Sequence, residues 1–162
     1  MKTRSITHKE SEELLIKIRH KWPSEVHPST LKGVLSTQVT PTTEIVACGQ
    51  FLAIHKDGQV IPFLGDNDTL HFFPSITVHS GAISHVCNGA NIMRPGIISF
   101  SEYSKGDIVI VIEAKYHKPI AVGESTLSSK DSEDAVKGVI IQNLHYVGDK
   151  AWDEGKNMRR GT

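Results

Sequence analysis

Five consecutive β-branched residues, Ile108-Val109-Ile110-Val111-Ile112, are the most constraining segment of this chain. Such side chains are stiff at χ1 and suit a pleated backbone. A run with no polar alternation implies a strand covered on both faces. Further short strands are expected at Ile76 to Val78, at Ile120 to Val122 and at Val139 to Leu144, and Ile92 to Phe100 is extended but broken by Pro95-Gly96. Short strands separated by many glycine turns avoid exposed edges by closing on themselves, so the second half is expected to form a small barrel.

Two short helices interrupt these strands. Ser80 is placed to cap Gly81 to Val86, which Asn88-Gly89 ends. Ser128 precedes a segment with carboxylates in its first turn, where they favour the helix dipole, and Lys137-Gly138 closes it. The first half opens on a longer helix. Thr7 and Glu10 have capping-box spacing, Leu14, Leu15, Ile18 and Trp22 share one face, and Pro23 stops it. Ser24 to Thr43 is rich in Ser, Thr and Pro, with a short second helix expected around Leu31, Val34 and Leu35. Strands follow at Ile45 to Ala47, Phe51 to Ile54 and Val60 to Leu64, the last two joined at Asp57-Gly58, a strong hairpin signal. Gly65 to Thr69 reads as a polar turn. A domain boundary is placed near Pro74-Ser75, and Asp153 to Thr162 reads as a polar tail.

The chain has 162 residues, with 18 basic and 18 acidic side chains that cancel. A coat of bulk positive charge over nucleic acid is thereby excluded, but a local basic groove is not. No apolar run approaches the roughly 20 residues that span a bilayer, and no signal-peptide core opens the chain, so a cytoplasmic protein without a membrane partner is expected. Cys48 and Cys87 read as two ordinary buried thiols. The Walker, dinucleotide, zincin and nucleophile-elbow motifs do not occur. His79, His85 and Cys87 lack zinc-site spacing. Asp66 and Asp68 lie in a turn composition where Asp bonds its own backbone. No catalytic residue, no metal and no cofactor is expected.

The informative stretch is Gly89-Ala90-Asn91-Ile92-Met93-Arg94-Pro95-Gly96-Ile97. Gly89 and Ala90 leave room for a ligand backbone, Pro95-Gly96 suits the centre of a type II turn, and Arg94 is able to fork onto phosphate. Two readings stand side by side here: a nucleic-acid cradle, or a helix-to-strand corner with a solvated arginine.

The order of motifs resembles the PUA domain, named for pseudouridine synthases and archaeosine transglycosylases. Gly89-Ala90 with Arg94-Pro95-Gly96-Ile97 comes first. Lys105-Gly106-Asp107 follows ahead of Ile108, then Ala121-Val122-Gly123, then Gly138 before the last strand, over about Ile76 to Trp152. Gly81-Ala82-Ile83, Gly89 to Met93 and the run from Asn143 to Trp152 narrow the resemblance to the malignant T-cell amplified sequence family, as a stand-alone, archaeal-type member. The resemblance implies an α+β chain: a small N-terminal α/β (pre-PUA) domain over 1–74, a PUA pseudo-barrel of mixed strands with two short helices over 75–153, and a polar tail over 154–162.

It also implies a non-catalytic RNA-binding protein of translation. The expected partners are a tRNA acceptor end or ribosomal RNA, the small ribosomal subunit, and a protein like density-regulated protein. The family pattern places RNA contacts at Gly89, Ala90, Asn91, Met93, Arg94, Pro95 and Gly96, with Gly123, Lys137 and Gly138 as lesser candidates. The other implied role is an accessory that presents tRNA or rRNA to a separate modification enzyme. Lys105, Lys130, Lys137 and Lys150 either gather with Arg94 on one face or are dispersed; Arg159-Arg160 offers a further phosphate contact or a loose basic tail. Asp107 is expected to fix a turn, and Trp152, His145 and Tyr146 to pack.

Overall fold

The computed structural model describes residues 2–160, the side chain of Arg160 excepted. Strand β1 (Lys2–Ser5) leads into helix α1 (His8–Lys21). The capping box of α1 forms as its spacing implies: the Glu10 N–H donates to Thr7 Oγ1 at 3.1 Å, and the Thr7 N–H to Glu10 Oε1 at 3.4 Å. Leu14, Leu15 and Ile18 are buried on one face, and Trp22 beyond the helix is buried as well. The Trp22 indole N–H donates to the Val60 carbonyl at 2.9 Å, which satisfies the one polar group that its burial would orphan.

Strands β2 (Leu35–Thr40), β3 (Thr43–Cys48), β4 (Phe51–Lys56) and β5 (Gln59–Pro62) then form an antiparallel meander, in the order β1-β2-β3-β4-β5. The β4–β5 turn has positive φ at both Asp57 (51°) and Gly58 (80°), the mirror-image turn that follows strand twist. Two expectations change here. No helix forms around Leu31, Val34 and Leu35; Leu31 and Val34 are buried in irregular chain and Leu35 opens β2. The unforeseen β1 is exposed along its length, so no alternation betrays it. Asp66 caps the short helix α2 (Asn67–Leu70), accepting the Thr69 hydroxyl at 2.7 Å.

The second unit is one sheet of six strands. They are β6 (Ser75–Val78), β7 (Ile92–Met93), β8 (Ile97–Phe100), β9 (Ile108–Glu113), β10 (Pro119–Ser125) and β11 (Val139–Tyr146). Their order is β7-β11-β10-β9-β6-β8, with only β6 and β9 parallel. Consecutive strands β7 and β8 are thus the opposite edges of the sheet. The 3-10 turn Arg94–Gly96 that joins them is the seam of a nearly closed barrel. The β9 run is buried from Ile108 to Val111, as its composition implies, and Val109 and Val111 belong to the barrel core with Ile76, Val78, Ile120 and Ile140. Each such side chain stabilises by roughly 1.5–3 kcal/mol. Helix α3 (Ile83–Val86) follows a 3-10 turn at Ser80–Ala82 and has no side-chain cap. Helix α4 (Ser129–Asp134) has one, since Ser128 Oγ accepts the Asp131 N–H at 3.2 Å.

Lys150–Arg160 forms helix α5 where a polar tail was expected from Asp153 onward. The helix belongs to the first unit, which comprises the chain up to Phe72 together with this last segment, while Phe73–Asp149 makes the second. Few apolar side chains mark α5, but its small residues allow close approach: a Cβ on Gly155 would collide with the Phe63 ring, and Trp152 lies 5.9 Å from that ring. Arg159 pairs with Asp66 at 3.4 Å. The phosphate contact expected of Arg160 lies outside the described side chains.

Candidate nucleic-acid interface

The seam and α3 together enclose an apolar cavity of about 360 Å³. Val78, Val86 and Ile92 form its apolar wall, and Ala82, Ala90 and Gly96 keep it open by their small size. Exposed His85 and Asn91 supply polar edges, and Met93, 46% exposed, flanks it. Five of the residues singled out from the sequence converge here or on the loop beside it: Gly89, Ala90, Asn91, Met93 and Gly96.

Asn143 of β11 holds the loop. Its side-chain amide donates to the carbonyls of Val86 and Ala90, both at 3.0 Å, while its backbone N–H donates to Asn91 Oδ1 at 3.0 Å. Gly89 sits at φ +94° with the Tyr146 ring 3.3 Å from where a Cβ would lie, so both conformation and space require glycine. Tyr146 packs as expected, and His145 is fully buried with Nδ1 at 2.9 Å from Asp149 Oδ2.

Arg94 does something else. Its N–H donates to the Gly138 carbonyl at 2.9 Å. Its guanidinium donates to the carbonyls of Ile97 (3.3 Å) and Glu133 (3.1 Å) and lies 5.0 Å from the centre of the Phe100 ring. A cation at the carbonyl end of α4 also meets the negative end of that helix. Asp131, Glu133 and Asp134 are exposed on the same helix. The arginine is half-exposed, and these contacts tie the seam to α4. The turn differs from expectation too: Gly96 has no positive φ, so Pro95-Gly96 is a 3-10 turn, not type II.

Pro95, Lys137 and Gly138 are exposed. Gly138 has φ +102° with open space around it. Gly123 is buried at a register shift between β10 and β11, where a Cβ would collide with the Gln142 carbonyl and the Ile141 side chain. It offers no surface to a ligand and serves strand packing. Lys105 precedes β9 and Lys130 opens α4, while Lys150 belongs to the first unit. The sequence reading missed Val78, Ala82, His85 and Val86 in the cavity and Asn143 as its brace. Ala82 and Asn143 stood in motifs that carried the family resemblance.

Other chemistry is sparse. Among the described residues, no group of three or more His, Cys, Asp or Glu side chains is placed to hold a metal, and no helix is long and apolar enough to cross a membrane. Both cysteines are half-buried and free, not fully buried as expected. Cys48 donates to the Lys32 carbonyl at 3.0 Å, and burial pushes the Cys87 thiol up.

Comparison with known proteins places this surface in context. The model of the PUA domain matches residues 74–147. A protein of Methanocaldococcus jannaschii is 39% identical over 127 residues, covering 75% of this chain and 77% of that one. Translation machinery-associated protein 20 of Schizosaccharomyces pombe is 36% identical over 104 residues, 60% of this chain and 58% of its own length. Malignant T-cell-amplified sequence 1-B of Xenopus laevis is 37% identical over 106 residues, 60% and 56% of the two chains. The match thus spans little more than half of either eukaryotic relative. A crystal structure of a protein from Pyrococcus horikoshii superimposes with a TM-score of 0.77 at 26% identity, covering 94% of this chain and 99% of the other.

Proposed function

This chain belongs to the PUA-domain family that includes the malignant T-cell-amplified sequence proteins, and from that premise we propose that it binds the unpaired end of a structured RNA in translation. The cavity beside the seam carries the reading. Its 360 Å³ fall at the lower end of small-ligand pockets, a size suited to one unstacked nucleoside. Sequence-specific RNA recognition works on splayed bases, which need an apolar slot and polar groups at its edge. The apolar wall of Val78, Val86 and Ile92 supplies the first, and Asn91 and His85 the second.

The acceptor end of tRNA, single-stranded beyond its stem, is the RNA of this shape that fits a translation-linked relative. The small ribosomal subunit is the place of action in this reading, and the first unit carries the contact to the subunit or to a protein like density-regulated protein. The protein positions RNA and does no chemistry on it. The same surface would serve an accessory to a modification enzyme, and co-purification separates the two, with ribosomal subunits expected here.

The test uses the full chain and a fluorescein-labelled tRNA transcript, intact or trimmed of its single-stranded 3′ end. Anisotropy titration is expected to show preference for the intact transcript. Ala90→Phe, which fills the cavity from an exposed position, is expected to remove that preference while leaving the fold intact. Equal affinity of the parent for both transcripts would overturn the reading.

A further inference from the structure

The β9–β10 turn has no place in the site just described. Its tip reads Lys115-Tyr116-His117-Lys118, four exposed residues with two cations, one aromatic ring and no acid among them. Tyr116 is 67% exposed. A tyrosine that far into solvent contributes little to a core, and the structure holds it still. Lys115 Nζ lies 5.1 Å from the ring centre. Beneath, buried Glu113 accepts the N–H groups of Lys115 (2.7 Å), Tyr116 (2.8 Å) and Lys118 (3.1 Å), and its own N–H closes the hairpin on the Lys118 carbonyl at 3.0 Å. His117 takes φ 57°, an uncommon conformation for a non-glycine residue. A buried carboxylate that fastens three amides of a surface turn makes a rigid platform, and rigidity lowers the ordering cost of binding.

The platform is joined to the cavity wall. Val78 lines the cavity, pairs in register with Glu113, and accepts the Ala114 N–H at 3.0 Å. We infer that the Lys115–Lys118 turn is a second contact for the same RNA strand, with a base stacked on Tyr116 and the flanking phosphates beside Lys115 and Lys118. Sequence-tolerant single-strand binding combines these two elements, an aromatic face and adjacent cations. A cation resting on one side of the ring leaves the other for a base. An acidic peptide would use the lysines but would have no need of a fixed, exposed ring. The inference rests on the RNA reading above and extends it by naming where the strand runs after leaving the cavity.

The test again uses the full chain and the intact labelled transcript. Tyr116→Ala is expected to weaken binding by about fivefold to a hundredfold, the measured range for loss of one base–aromatic stack. Tyr116→Phe and Tyr116→Trp are expected to restore it. Lys115→Ser with Lys118→Ser is expected to make the plot of log affinity against log salt shallower by about 1.4, or about 0.7 per phosphate contact on a single strand. All three substituted positions are exposed side chains, and Glu113 uses only their backbone, so the variants keep the fold.

Parental affinity and slope in the Tyr116→Ala and double-lysine variants, with Ala90→Phe still impaired, would overturn this inference and leave the cavity reading standing. Loss on Tyr116→Ala with no effect of Ala90→Phe would overturn the cavity reading and keep the turn as an RNA contact. Competition by polyglutamate as strong as by unlabelled RNA would overturn the assignment of RNA to the turn.

Discussion

Replacing Arg94 by alanine separates two roles that a basic residue in an RNA-binding corner can have. The structure gives its guanidinium two backbone carbonyls, of Ile97 and Glu133, and one ring, Phe100. A hydrogen bond from a charged donor contributes about 1.5–3 kcal/mol; partial exposure and lengths of 3.1 and 3.3 Å put both near or below the lower limit. A half-exposed cation–π contact adds about 0.5 kcal/mol. Arg94→Ala therefore costs about 2–3 kcal/mol. With a urea m-value of about 1–3 kcal/mol/M, the unfolding midpoint falls by about 0.7–3 M at unchanged m. The same variant is then titrated with RNA over a salt series. A brace that positions the α4–β11 loop leaves the salt slope at the parental value, whereas a lost phosphate contact makes it shallower by about 0.7. A stability within about 0.5 kcal/mol of parent, together with the shallower slope, would refute the brace and restore the phosphate contact that the sequence suggests.

Three further outcomes follow from the same geometry. Gly123→Ala is expected to destabilise by about 1–3 kcal/mol or more, because the Gln142 backbone cannot yield to the new methyl group; a melting temperature equal to the parent's would contradict this. Asn143→Ala removes both side-chain bonds to the Val86 and Ala90 carbonyls, at about 0.5–1.5 kcal/mol each, and faster amide exchange confined to the Val86–Asn91 loop is its signature. Burial pushes the Glu113 carboxyl up, but the backbone donors of Lys118, Tyr116 and Lys115, and nearby His117, outweigh it and hold the group below its ordinary 4.5. A depressed carboxyl contributes stability that is present above the unfolded value and is lost as pH falls through the folded one. Glu113→Gln is therefore expected to lower the melting temperature at neutral pH, and the gap to the parent to close under acid; a gap constant with pH would count against the clamp.

Local signals that act over three or four residues were legible. The Thr7–Glu10 box, the Asp57-Gly58 turn and the Ser128 cap each form as their spacing implies, because each is satisfied by neighbours in the chain. The β9 run was legible because a strand buried on both faces cannot tolerate polar residues. What escaped depends on distant partners. The β2 strand carries Ser36 and Thr37 into the interior, so its composition resembles a loop. The α5 helix forms where Ala151 and Gly155 let it pack closely within the first unit, and small residues leave no apolar stripe. Arg94 reads as either a phosphate contact or a solvated charge, because nothing nearby in sequence shows that the Glu133 carbonyl, 39 residues on, accepts from its guanidinium. The glycines divide the same way. Gly89 announces a turn that its own neighbours make, whereas the need for Gly123 lies across the sheet in Gln142.

The seam has a consequence for what this chain can tolerate as it diverges. Because Arg94–Gly96 connects the two rims of one sheet, the length of that corner sets how near its two edge strands lie. The outer amides of these two edge strands are not paired with each other, and an added residue there would let the rims part and leave them freer to recruit a neighbouring molecule sideways. Such a chain would risk assembling into polymers, so solubility, as well as the cavity that Gly96 lines, guards this corner against insertion.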